Sequence, residues 1–555
     1  MAMHFEIECL DCAHRAPYVP TTAECPRCGS QWREARYDLE AIGPGLAARV
    51  AGRPWDLWRW LDLLPVRAVG PAFSMGEGGT PLFNAPALGA QLGLPHLYIK
   101  DERQSPTASF KDRQASVTVA ALKEAGQTEL VVASTGNVAI AYAAFCARAG
   151  LRLWAFLTSL VPAAKMHEAA IYGTQVVKVT GTYDQAKKMA AEFAQRRGLY
   201  LDRGTRSVAA VESMKTIAFE IAEQLAARLG PGRDTPWRSP DWYVQAVSGG
   251  IGPVGVLKGF EELSAAGLVE RPPAIAAVQT AGCAPMVEAW KAGHAAVTPV
   301  LTPRTHIATL STGDPGRTYT LLRQRLLDGP GGAFESVSDE EAFHHLQLVA
   351  RTEGLSLEPA AAVAFAGLAR LAREGVIRPD QVVVVNCSGH TLPVEERLLD
   401  EGWSTDVVYP VALEESPQEG LLAALAQLDH GRFQRVLIVD DDASTRLLIR
   451  RLLLAHGEYA VEEAASGAEA LAEARRRQPD LVVLDLMMPE MDGFAVLDHF
   501  RQQPQTARVP VIVVTAKDLT PAERKRLEGR ISRLLTKGDF QDEDLVREIS
   551  KVLGP

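Results

Sequence analysis

Four cysteines near the start of the chain, Cys9, Cys12, Cys25 and Cys28, stand as C-x2-C-x12-C-x2-C. Each CxxC pair makes a tight knuckle, and two knuckles can bring four thiolates to the corners of a tetrahedron around zinc. Pro26, directly after Cys25, suits a rigid knuckle turn. With all four positions filled by thiolate, the metal would have no open coordination site and its role would be structural. Two disulfides or a site without metal are the alternatives, and a reducing compartment disfavours the disulfides.

A second set gathers around Lys111 in SPTASFKDRQ (105–114), after a hydroxyl-rich turn and before a helical run. A lone lysine is ordinarily a solvated charge, but three turns accompany this one. ASTGN (133–137) ends a strand and opens a helix, which directs backbone N–H groups and the Asn137 amide toward an anion. SGGIG, formed by Ser248, Gly249, Gly250, Ile251 and Gly252, is a glycine-rich turn before a helix, suited to cradling a phosphate. NCSGH (386–390) ends another strand with the hydroxyl of Ser388. Together they supply a lysine, an anion cradle and two polar orienters at strand ends, where α/β folds bind ligands.

The third set is acidic. VDDD (439–442) and LDLMMPEMDG (484–493) place Asp440, Asp441 and Asp485 at the ends of apolar strands. Carboxylates clustered at one sheet edge repel each other unless a divalent cation sits among them. Thr515 in VVTAK and Lys537 in LLTKGD join the same edge. One strand-end aspartate would read as a helix cap, but four such landmarks in about 120 residues read as a site.

The elements that must position these groups follow from the apolar pattern. From about 66 to 405, strand-like runs such as ELVVAS and QVVKVTG alternate with helical stretches such as NVAIAYAAFCARAG and YDQAKKMAAEFAQRRG. That alternation predicts an α/β architecture with parallel sheets. It breaks at 406–433, an interdomain connection, and restarts with RVLIVDDD, LVVLDLMMP and VPVIVVTAK. In that last unit Leu448, Ile449, Leu452 and Leu453 recur at helical spacing and predict one buried stripe. The aromatic run WDLWRW (55–60) and the remaining cysteines, Cys146, Cys283 and Cys387, read as packing residues.

Composition bounds the function. The chain has 555 residues, 47% hydrophobic and 23% charged, with a net charge of −10. Those values exclude wholesale disorder and give no electrostatic footprint for nucleic acid or an anionic membrane. Apolar runs are strand-sized and the N-terminus has no basic segment before an apolar one, so a soluble cytoplasmic protein is expected.

Over about residues 5–400 the chain resembles the threonine synthases, pyridoxal-phosphate enzymes of fold type II, the tryptophan-synthase-β-like class. The resemblance rests on the cysteine knuckles followed by YDL, then WDLWRWLDLLPV, GEGGTPL, SPTASFKDR, ASTGN, SMKTIAFEI, SGGIGPVGVLKGF, LEPAAAVAFAGL and SGH, in family order. It implies a small N-terminal zinc ribbon (1–35) and a two-lobed catalytic domain (66–405). Lys111 would hold the cofactor as a Schiff base and act as general base, and Asn137 would contact the pyridine 3-hydroxyl. The 248–252 loop would grip the phosphate, and Ser388 would face the pyridine nitrogen. The implied reaction converts O-phosphohomoserine and water into threonine and phosphate, with Ser134 and Lys188 on the substrate. Two departures stand out: Val138 where the family has threonine, and RSVAAVE (206–212) where it has an Asn-Pro turn and an arginine.

Residues 434–555 resemble a response-regulator receiver domain of flavodoxin-like (βα)5 fold. The resemblance makes Asp485 the phosphate acceptor, with Asp440, Asp441 and the Met487 backbone carbonyl around Mg²⁺ and with Thr515 and Lys537 on the phosphoryl group. Gly538 and Leu534 depart from the usual proline and aromatic switch residue. The implied partners are an amino-acid substrate, a histidine kinase or phosphotransfer protein, and a second copy in a homodimer. Two further readings stay open: a pyridoxal-phosphate enzyme for another amino acid such as O-phosphoserine, and a ligand-sensing signalling protein with little turnover.

Overall fold

The computed structural model describes residues 5–70, 73–159, 161–390, 404–408, 434–456, 459–476, 478–503, 505–515 and 519–536, with 549 and 552. The chain divides into two compact units, 1–421 and 422–555.

The four-cysteine segment is a three-stranded antiparallel sheet, β1 (Phe5–Cys9), β2 (Arg15–Ala16) and β3 (Arg33–Tyr37), in the order β2-β1-β3. The expected ribbon boundary at residue 35 cuts through β3. Cross-strand pairing from Cys9–Arg33 to Phe5–Tyr37 carries the sheet to Tyr37, where the Tyr37 ring stacks on Phe5 at 5.0 Å.

Two sheets build the lobes of the first unit. The chain enters one through β4 (Leu82–Asn84) and β5 (Leu97–Asp101). It crosses to the other for β6 (Glu129–Ser134), β7 (Arg152–Thr158), β8 (Gln175–Thr180) and β9 (Tyr200–Leu201). It then returns for β10 (Trp242–Ala246), β11 (Ala274–Thr280), β12 (Gly332–Val337) and β13 (Val383–Cys387). The larger sheet runs β12-β11-β10-β13-β5-β4, parallel except for β4. Strand β13 reads VVVNC and is buried throughout, as expected of a parallel strand covered on both faces.

The smaller sheet gains a further strand, β14 (Ser404–Val408), giving the order β14-β8-β7-β6-β9. This corrects the connection expected from residue 406: Ser404–Val408 pair in parallel with Val176–Thr180, so the chain stays in the enzyme lobe through Val408. Residues 409–433 of the expected connection lie outside the described residues.

A buried ionic cluster anchors the helix Lys111–Glu124, which begins at the candidate catalytic lysine. Arg113, fully buried, bonds to both oxygens of Glu102 at 2.8 Å and to Glu220 at 2.6 and 2.8 Å. Lys100 Nζ donates to Glu220 at 2.7 Å and to the Thr80 carbonyl at 2.7 Å. Charges buried this deeply are tolerable only because each has partners in good geometry. The aromatic run divides: Trp60 is fully buried against Phe219 and Trp237, whereas Trp55 is 42% exposed, its indole N–H donating to the Gly79 carbonyl. Cys146, Cys283 and Cys387 are buried.

The second unit holds β15 (Gln434–Val439), β16 (Tyr459–Ala464), β17 (Leu481–Leu484), β18 (Val511–Thr515) and β19 (Arg533–Thr536). They are parallel in the order β16-β15-β17-β18-β19, the doubly wound 2-1-3-4-5 arrangement. On its first helix, Ala443–His456, Ile449 and Leu453 are buried but Leu448 is 47% exposed. Leu448 and Ile449 stand one residue, or about 100°, apart, so the expected stripe is narrower than its four residues. No described helix is long and apolar enough to cross a membrane.

Candidate functional site

A cavity lies at the C-terminal strand ends of the first unit, lined by Lys111, Asn137, Val138, Gln245, the loop Ser248–Gly252, Glu358 and Ser388. Lys111, Asn137, Ser248, Gly249, Gly250, Ile251, Gly252 and Ser388, singled out separately in the sequence, thus border one space. The lysine turn is tied to the end of β13: Phe110 N–H donates to the Ser388 carbonyl at 3.0 Å, and Ser109 bridges Gly389. Lys111 Nζ lies 4.4 Å from the Phe110 ring centroid and 3.4 Å from Gln114 Oε1. Enclosure by protein pulls its amine down to about 8, while the carboxylates Asp202 and Glu358 favour its charged form.

The Ser248–Gly252 loop feeds the 15-residue helix Ile251–Ala265. Gly250 has φ +86°, and a Cβ there would lie 3.0 Å from the Thr318 methyl and 3.1 Å from Met286 Cε. The left-handed φ favours glycine, and a Cβ there would be tightly crowded. Gly249 faces open space, and Ser248 Oγ meets Thr312 Oγ1 at 2.5 Å. Unpaired N–H groups of a helix start, aimed past small residues, form an anion cradle.

Asn137 is held from two sides. Its Nδ2 donates to Glu358 Oε1 at 2.7 Å, and Lys165 Nζ donates to its Oδ1 at 2.6 Å. Lys165 and Glu358 close the triangle at 2.6 Å, both nearly fully buried. This pair was not legible in the sequence; the one available signal was a lysine inside the alanine-rich AAKMHEAA, a composition typical of a buried helix face.

The two residues expected on the substrate behave differently. Lys188 is exposed on the helix Tyr183–Arg197, one position before buried Met189, and does not line the cavity. Helical periodicity turns it to solvent, so Lys165, from another helix, is the cation nearest Asn137 among the described residues. Ser134 is buried, and its Oγ accepts from Gly136 N–H at 2.9 Å and Ala139 N–H at 3.1 Å. Its hydroxyl shapes the ASTGN turn and does not line the cavity.

The four cysteine sulfurs converge, with Cys9–Cys28 at 3.5 Å, Cys12–Cys25 at 3.7 Å and all within 4.8 Å of one another. A tetrahedral site with metal–sulfur bonds of about 2.3 Å needs S···S separations near ~3.8 Å, so the donor set fits zinc.

In the second unit, carboxylate oxygens of Asp440, Asp441 and Asp485 lie within 4.8 Å of one another, with Asp440 and Asp485 buried. Met487 N–H donates to Asp485 Oδ1 at 3.1 Å. Gly493 lets the backbone close in, because a Cβ there would fall 2.2 Å from the Asp485 carbonyl oxygen. Thr515 ends β18 and is buried. Lys537 lies outside the described residues.

Comparison with known proteins gives consistent findings. Residues 73–389 match the family described as pyridoxal-phosphate dependent enzyme, and residues 436–550 match the response regulator receiver domain. The threonine synthase of Methanocaldococcus jannaschii is 34% identical over 361 residues, covering 65% of this chain and 86% of that protein. That of Methanosarcina acetivorans is 31% identical, covering 71% and 94%. Among solved structures, processed threonine deaminase isoform 2 from Solanum lycopersicum aligns with a TM-score of 0.47 at 21% identity, over 68% of this chain and 95% of that one.

Proposed function

The chain belongs to the pyridoxal-phosphate-dependent enzymes, within them to the threonine synthase family, with a response-regulator receiver domain fused behind the lyase; from that premise we propose that it converts O-phosphohomoserine and water into threonine and phosphate under control of receiver phosphorylation. The observation that carries the reading is the convergence of Lys111, Asn137, Ser388 and the Ser248–Gly252 loop on one cavity.

Lys111 would hold pyridoxal phosphate covalently through Nζ, and the backbone N–H groups of Ser248–Gly252 would take its phosphate. Ser388 would face the ring nitrogen, and Asn137 would reach the 3-hydroxyl with the second hydrogen of Nδ2, the first being used on Glu358. Bound pyridoxal phosphate supplies an electron sink that acidifies Cα–H of an amino acid. The chain's own contribution is Lys111 Nζ, which moves the proton at substrate Cα with an amine already shifted toward neutrality. Val138 and Phe110 present apolar surface that limits water at the lysine, and the Lys165–Glu358 pair fixes the Asn137 amide.

A pH dependence follows. An amine with its pKa lowered to about 8 is neutral above that value and protonated below it. Capture of pyridoxal phosphate by the cofactor-free chain should accelerate as pH rises through about 8 and then level off, followed by absorbance. A midpoint near ~10, the ordinary lysine range, would contradict the enclosure of Lys111.

The O-phosphoserine reading keeps one specific support: Val138 lines the cavity, and Ala209 and Ala210 are buried in the 206–212 segment that departs from the family. Phosphate release from phosphohomoserine and phosphoserine, assayed side by side, decides between them. Preferential release from phosphohomoserine supports the first reading, and preferential release from phosphoserine replaces it.

For the receiver we infer that Asp485 accepts the phosphoryl group from a histidine kinase or phosphotransfer protein, with Mg²⁺ held by Asp440, Asp441, Asp485 and the Met487 carbonyl. Thr515 and Lys537 would contact the phosphoryl oxygens. Asp485→Asn should reduce labelling by a small-molecule phosphodonor to background, because the nucleophilic oxygen is replaced by an amide; undiminished labelling would move the acceptor elsewhere. Zinc at the four cysteines and assembly as a homodimer complete the proposal. Phosphorylation would act on the lyase's rate or assembly. Equal kinetics and equal solution mass with and without a phosphoryl mimic would refute that control.

A further inference from the structure

The first cysteine knuckle reaches the Ser248–Gly252 loop through a short chain of contacts. Asp11 lies between Cys9 and Cys12, and its carboxylate accepts from Arg317 Nη1. The Arg317 guanidinium also sits 5.7 Å from the Trp32 ring of the same ribbon. Arg317 is the first residue of the helix Arg317–Asp328, and Thr318 beside it is buried. Thr318 Oγ1 meets Thr205 Oγ1 at 2.7 Å, while its methyl packs closely against Gly250, so that a Cβ there would lie 3.0 Å from it.

Other ribbon contacts grip the same region. Glu34 pairs with Arg325 at 2.6 Å, further along that helix. Tyr37 places its ring 5.4 Å from Lys258 Nζ, on the helix that the loop opens.

From these contacts we propose that Asp11 and Arg317 are positioning residues for the Ser248–Gly252 loop, so that metal in the four-cysteine site tightens the hold on the cofactor's phosphate. This rests on the reading above, that the loop takes the phosphate and the cysteines take zinc. Convergent backbone N–H groups hold an anion only while the loop keeps its shape. At Gly250 that shape is backed by Thr318 and Met286 rather than by the loop's own side chain. A half-exposed ion pair such as Asp11–Arg317 does little alone, but a metal that freezes the Cys9–Cys12 knuckle removes the freedom of Asp11 and makes the pair a fixed strut.

The test uses the full chain freed of cofactor and compares capture of pyridoxal 5′-phosphate with capture of phosphate-free pyridoxal. Side-chain exposures of 34% for Arg317 and 39% for Asp11 mean that truncation leaves no buried hole. Asp11→Ala and Arg317→Ala should each weaken pyridoxal phosphate by about tenfold while changing pyridoxal by less than about twofold. The double variant should be no weaker than either single one, and zinc-depleted wild type should show the same selective loss. Unchanged pyridoxal phosphate affinity with zinc content intact, or an equal loss for both aldehydes, would overturn the proposal. A wild-type chain that captures neither aldehyde would instead overturn the cofactor reading beneath it, and with it this inference.

Discussion

Lys111→Ala is expected to abolish the visible absorbance band of the lysine-bound cofactor and to lower turnover by about 10³-fold or more. On the proposed reading two losses combine in one residue: the covalent tether, and the amine that would move the Cα proton. Every other group on the cavity wall stays in place, since Phe110 N–H to the Ser388 carbonyl and the Ser109–Gly389 bridge are backbone contacts. The variant should therefore still bind pyridoxal phosphate through the Ser248–Gly252 loop, without a bond to the chain. An added small amine should restore part of the turnover, because it replaces the missing base but not its placement. Retention of both the band and the turnover would remove Lys111 from the centre of the site.

Glu220→Gln is expected to destabilise the first unit by about 3–5 kcal/mol, the cost of breaking one partner out of a buried ionic group. Glu220 is fully buried and shared by Arg113 and Lys100. Burial alone would raise its pKa, but those two cations bring the carboxyl down to about 2. For a carboxyl so depressed, the linked stability is present above its ordinary range near ~4.5 and is lost as pH falls toward 2. Wild type should therefore lose about 3 kcal/mol across that window, and the Glu220→Gln curve should be flatter. Urea unfolding followed by tryptophan fluorescence reads this unit selectively, because no tryptophan occurs after residue 403. Identical acid profiles for variant and wild type would show that the pair carries no net stability. Arg113 lies two residues beyond Lys111 on one helix, so the same variant should also loosen the lysine and slow cofactor capture.

What the sequence made legible was chemistry written at short range. C-x2-C spacing fixes two sulfurs per knuckle whatever surrounds them, and SGGIG states its turn and its helix in five residues. The strand-end aspartates were readable for the same reason, since β15 and β17 are neighbours and their ends must meet. Long-range pairing was not legible. Lys165 and Glu358 are 193 residues apart and come together only because the fold brings the starts of the helices Ala163–Ile171 and Pro359–Arg373 side by side. Lys188 was the one cationic candidate the sequence offered near the altered segment, yet its helix turns it to solvent. β14 was hidden because STDVV is only five residues long and nothing local reveals that it pairs with β8. Leu448 failed on angle: three of the four apolar positions face the core or its margin, and the fourth lies about 100° off.

The central claim, a lyase that expels phosphate and adds water to the carbon skeleton, is tested most directly by isotope placement. The cofactor-loaded chain is incubated with O-phosphohomoserine in ¹⁸O-labelled water, and both products are weighed by mass spectrometry. Threonine carrying one ¹⁸O in its β-hydroxyl, formed in equal amount with unlabelled phosphate, is the predicted result, because the carbon–oxygen bond of the ester breaks and water adds at Cβ. Homoserine with ¹⁸O in the phosphate, which marks simple ester hydrolysis at phosphorus, or phosphate release without threonine, would contradict it.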